Sequence, residues 1–132
     1  MLPTDVLSNR KMRNPSNDLK NNACLWLNVL AGLEKENIEM KARLALILKN
    51  SVSRSFIDTA ESFQQIFIDN DQMISILRHD IHVFVEGVQN DALTVDISRQ
   101  DQHFNALKND MMKAVFEFTR NRIEINETIG GL

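Results

Sequence analysis

The chain has no tyrosine, a single cysteine, two prolines and four glycines among its 132 residues. Cys24, having no second thiol, cannot close an intramolecular disulfide. Scarce proline and glycine, with Gly130 and Gly131 both at the far C-terminus, leave a chain dominated by helix-compatible residues. No apolar run approaches the ~20 residues that a membrane-crossing helix needs. Residues 1–15 lack the hydrophobic core of a secretory signal. These shortages point to the cytoplasm. The missing tyrosine carries no structural implication of its own.

Chemistry-bearing motifs are equally sparse. There is no glycine-rich phosphate loop, no HExxH, and no Glu-x-x-His of the type that di-iron bundles aim into their cores. No motif supplies Cys24 with the base and orienting partner of a nucleophile, so it reads as a small apolar residue beside the helical seam near Trp26. The chain is therefore expected to be no enzyme and to need no cofactor. A net charge of −3 is unevenly spread. Arg10, Lys11 and Arg13 outnumber Asp5 at the N-terminus, whereas residues 53–90 hold Arg54 and Arg78 against six carboxylates. So acidic a middle argues against nucleic acid or an anionic membrane as the partner of the protein's body.

What is present is helical periodicity. From Phe56 through Ala60, Phe63, Phe67, Asn70, Ile74, Leu77, Ile81 and Phe84 to Val88, the spacing alternates between four and three residues. A helix of 3.6 residues per turn places all of them on one stripe, and the period-two alternation of a half-buried strand is missing. The same alternation runs from Leu19 through Ala23, Trp26, Leu30, Leu33, Asn37, Met40 and Leu44 to Ile47. A weaker third stripe comprises Leu93, Ile97, Phe104, Leu107, Met111, Val115, Phe118 and Ile125. Polar breaks lie at 50–55 and 89–91, with Ser53 or Ser55 available to cap the second helix. The pattern predicts an all-α, elongated, antiparallel bundle of three long helices over about 17–50, 54–89 and 92–127, with a coiled-coil-like rhythm. Residues 1–15 are expected as a flexible arm, 16–128 as one three-helix domain and 129–132 as a disordered tail.

Three groups of residues fall outside a simple seam. Met112, Phe116 and Ile123, with Thr119 between them, form a second apolar stripe on the third helix. A three-helix bundle needs only one such face, so this one is expected to be a partner interface, covered by a second copy or by another helical protein. Folding the helices antiparallel is also expected to gather Phe56, Phe63, Phe67, Phe116 and Phe118 at one end. Further apolar residues, Ile66, Met73, Ile76 and Val83, widen one flank of the second helix, as contact with two neighbours requires. Asn37 and Asn70 interrupt their stripes at positions that antiparallel pairing across the 50–54 turn brings within about a turn of each other, where they can form a polar seam or lie exposed at a splayed point. His79, His82 and Glu86 are spaced to share a helix face and are weak candidates for metal ligands. Leu77, Ile81 and Phe84 define the inward direction, however, so the trio is expected on the outside, and His103 adds little. Taken together, the sequence points to a non-catalytic helical interaction or adaptor module, homodimeric through its apolar face. A metal-binding bundle protein using His79, His82 and Glu86 is the alternative.

Overall fold

The computed structural model describes residues 15–50, 52–90 and 97–131. They form α1 (Pro15–Leu48), α2 (Arg54–Asn90) and α3 (Ile97–Gly130), and no strand occurs among the described residues. With 34, 37 and 34 residues the helices are rods of about 50–55 Å at 1.5 Å per residue. Cross-helix contacts fix their directions. Glu34 meets Arg78 and Lys41 meets Asp71, so α1 and α2 run in opposite senses. Trp26 stacks on Phe104, Glu36 binds Arg122 and Arg43 reaches Asn126, so α3 runs alongside α1. The all-α up–down–up bundle is therefore the fold.

Helix boundaries follow from local chemistry. Proline at the first position of α1 loses only an N–H that has no partner there anyway, and Asp18 in the first turn suits the positive end of the helix dipole. After α1 the chain turns tightly, the Asn50 N–H donating to the Ile47 carbonyl at 3.1 Å. Of the two candidate caps, Ser53 does the work: its hydroxyl accepts from the Phe56 N–H at 3.2 Å, and its carbonyl accepts the first helical bond from Ile57 at 3.1 Å. The Ser55 hydroxyl meets that of Ser53 instead of capping the helix.

The ten stripe residues of α2 are its buried residues, without addition or omission. In α1, Ala23, Leu30, Leu33, Asn37, Met40 and Leu44 are buried, while Leu19, Trp26 and Ile47 are half-buried at its margins. The α1–α2 contact is the most extensive of the three, and α3 lies more lightly against both partners.

Several expectations need correction. Ala114, not Val115, takes the buried seam position in α3, beside Asn70 and Met73. The helix also passes the expected end near 127. Ile129, assigned to a tail, is helical and buried one turn beyond Ile125, and only at Gly131 does the chain turn away. The gathering of phenylalanines at one end does not occur. Phe118 packs beside Asn70 near the middle of the bundle, and Phe116 faces outward. An aromatic cluster spanning all three helices forms towards the other end instead, with Trp26 and Phe104 stacked at 4.8 Å and Phe84 against Phe104 at 6.0 Å. On α2, Ile66 and Met73 pack against the core as the wider flank requires, but Ile76 and Val83 are exposed. The arm over 1–14, the start of the third helix at 92 with Leu93, and Leu132 lie outside the described residues.

Gly32 sits mid-helix on the exposed face of α1, and a Cβ there would meet no heavy atom within 4 Å. Gly32→Ala is therefore expected to stabilise the fold by roughly 0.5–1 kcal/mol, through the lower entropy of its unfolded chain. A denaturant midpoint that falls would contradict the open space around this position.

Candidate interaction surface

The polar groups inside the bundle are spent on each other. Asn37 is wholly buried and Asn70 nearly so, at 0% and 6% exposure, in a seam otherwise made of Leu, Ile, Met and Phe. The Asn70 side-chain amide donates to Asn37 Oδ1 at 3.0 Å. The Asn37 amide in turn donates to the Phe67 carbonyl at 3.1 Å and to Asp71 Oδ1 at 2.8 Å. Lys41 holds the other oxygen of Asp71. Among the described residues no buried side-chain nitrogen or oxygen lacks a partner. The two asparagines that the spacing placed within reach of one another are thus joined by one amide bond, Asn70 donating and Asn37 accepting.

Ion pairs flank this layer on both sides of α1. Glu34 binds Arg78 on the α2 side. On the α3 side, Arg122 donates to both carboxylate oxygens of Glu36 at 3.0 and 2.8 Å, and Arg43 donates to Asn126 at 2.7 Å. The ion-paired side chains, with those of Lys41 and Asp71, are a third to a half exposed, so each ion pair contributes about 1 kcal/mol or less. They set the rotation of each helix more than its stability.

That rotation leaves the second stripe of α3 uncovered. Met112, Phe116 and Ile123 are exposed by 62%, 68% and 51%. Thr119 lies between them, half-buried. The stripe continues onto α1 through a groove of about 400 Å³, where Met112 and Lys108 meet Leu25 and Trp26. Leu25 is itself largely exposed, and so is Val29 one turn further along α1. A larger groove of about 630 Å³ opens between α1 and α2, lined by Leu44, Ala45, Leu48, Phe67 and Ile68, with Lys41 and Lys49 at its rim. Sequence reasoning missed both grooves. Their signal was the off-stripe apolar residues Leu25, Leu48 and Ile68, which periodicity alone treats as incidental.

His79, His82 and Glu86 stay on the exposed face of α2. Among the described residues no group of three or more His, Cys, Asp or Glu is placed to hold a metal ion. His103 instead lies edge-on to Phe84 with ring centroids 5.0 Å apart. Cys24 is half-buried and unpaired. No helix among the described residues is long and apolar enough to cross a membrane.

The fold and this surface define a three-helix bundle that leaves an apolar stripe of α3 uncovered, with further exposed apolar residues such as Ile76 and Val83 on α2. The chain matches no protein-family model, no curated protein and no solved structure.

The buried amide pair makes a direct prediction. Asn37→Leu leaves the Asn70 amide buried without its acceptor and is expected to cost about 1–3 kcal/mol, as is Asn70→Leu. Replacing both removes the orphan, so the double variant is expected to recover most of that loss. Urea unfolding of the four proteins checks it, and simple additivity of the two losses would contradict the bond between them.

Proposed function

We propose that this protein is a non-catalytic helical interaction module, and that the uncovered face of α3 joins two copies into a homodimer. One observation carries this: a helix that already buries Leu107, Met111, Phe118 and Ile125 turns a second apolar stripe, Met112–Phe116–Ile123, towards solvent. Taking ~200 Å² for a side chain of this size, the three expose on the order of 350 Å² per copy. Leu25 and the α1–α3 groove extend that patch. Contiguous apolar surface of several hundred Å² usually marks a binding site. A two-fold contact would cover both patches at once.

What supports a non-catalytic role is the use of the interior. The buried polar side chains, Asn37 and Asn70, bond to each other and present no free group to a substrate. The single unpaired thiol is consistent with a home in the cytoplasm, which belongs to the same proposal. For the metal-binding alternative, the positions of His79, His82 and Glu86 lend no support.

Phe116→Asp combined with Ile123→Asp is expected to give a monomer that keeps its helical circular dichroism, because both side chains point away from the core. Sedimentation across a concentration series separates the outcomes. An unmodified chain that stays monomeric at the highest concentration would end the homodimer proposal, leaving a helix of another protein as the occupant to seek.

A further inference from the structure

We propose that the groove between α1 and α2 binds a fatty carboxylate of medium length, its tail lying along Leu44, Leu48, Phe67 and Ile68 and its carboxylate held by Lys49. At about 630 Å³ the groove has the size of a small-molecule site. Such sites form between the helices of bundles, from an apolar lining and a few polar groups. Here Leu44 and Phe67 are buried and make an apolar floor, while Leu48 is half-buried and Ile68 exposed at the walls. Ala45 is the smallest residue of the lining, so a larger side chain there would fill the groove.

Charge and length select the ligand. Lys41 and Lys49 are the charged residues of the lining, and no carboxylate joins them, although the chain as a whole carries a net charge of −3. The small cavity between α2 and α3, by contrast, is lined by Asp69 and Glu117. The two lysines differ. Lys41 is held by Asp71, in an ion pair that crosses from α1 to α2 and closes the inner end of the groove. Lys49 is exposed and makes no ion pair or hydrogen bond among the described residues, so its ammonium is available to an anion. From Lys49 to Lys41 the helix rises about 12 Å at 1.5 Å per residue. An extended chain of about ten carbons covers that distance. A docked acidic helix fits less well, because anything longer than about two turns would run into the Lys41–Asp71 pair.

The test is titration of the chain with sodium decanoate below its micelle concentration, followed through backbone amide shifts. Saturable shifts centred on residues 41–49 and 64–68 are expected. Lys49→Glu is expected to weaken decanoate binding about tenfold, while the neutral 1-octanol binds it as it binds the unmodified chain. Ala45→Phe, at an exposed position that leaves the core intact, is expected to abolish the binding of both. Shifts that never saturate, or that are as large at Met112, Phe116 and Ile123, would make decanoate a general apolar adsorbate and overturn the proposal. So would a Lys49→Glu variant that binds decanoate as tightly as the unmodified chain. Saturable shifts of the groove residues by an acidic amphipathic peptide, with none by decanoate, would assign the groove to a helix and overturn it as well.

Discussion

The hydrogen bond between the Asn37 and Asn70 side chains is the constraint on which the rest of the bundle depends. An apolar seam of Leu, Ile, Met and Phe tolerates a slip of one turn or one heptad, since each knob finds another hole of similar size. A buried amide does not. Sliding α1 along α2 by a turn would strand two amide groups in hydrocarbon, at about 1–3 kcal/mol for each unsatisfied group. In place, the Asn37 amide also reaches the Phe67 carbonyl and Asp71, and Lys41 completes the chain to the surface. The register so fixed is the one in which Glu34 meets Arg78. Individually weak ion pairs thus agree with a strongly directional buried one.

The same layer governs how α3 presents itself. Arg122 faces α1 to reach Glu36, and Arg43 on α1 reaches Asn126. Successive helix residues are rotated by about 100°, so a guanidinium held against α1 at 122 turns Ile123 away from the core. Phe118 is held inward beside Asn70, which sends Phe116 outward. The exposed stripe is therefore a consequence of polar contacts that orient α3. The proposed role is drawn from this geometry: a bundle whose third helix turns an apolar stripe outward.

Legibility in the sequence tracked how strongly local constraints limited the choices. The α2 stripe was readable residue by residue because its spacing never breaks from Phe56 to Val88. The proximity of Asn37 and Asn70 was readable because a connection of a few residues between α1 and α2 leaves little freedom in their relative register, but spacing did not decide between a bonded seam and exposure at a splayed point. The apolar residues of α3 form two stripes, so its rotation was ambiguous. After Met111 the next inward residue could be Ala114 or Val115, and only the neighbouring Asn70 and Met73 select the small one. Phe118 was displaced from the end to the middle for the same reason. The Gly130–Gly131 pair suggested fraying a few residues before it, yet Ile125 and Ile129, four apart, carry the seam right up to it. His79, His82 and Glu86 show the opposite limit: spacing puts residues on one face but does not aim that face inward.

Hydrogen exchange of the side-chain amides tests the central constraint most directly. The Asn37 and Asn70 NH₂ groups, each enclosed and bonded, are expected to exchange far more slowly than the exposed amides of Asn28 or Gln72, at rates set by opening of the α1–α2 interface. Exchange of both at the rate of those surface amides would contradict a closed amide pair, and with it the register from which the exposed face of α3 was derived.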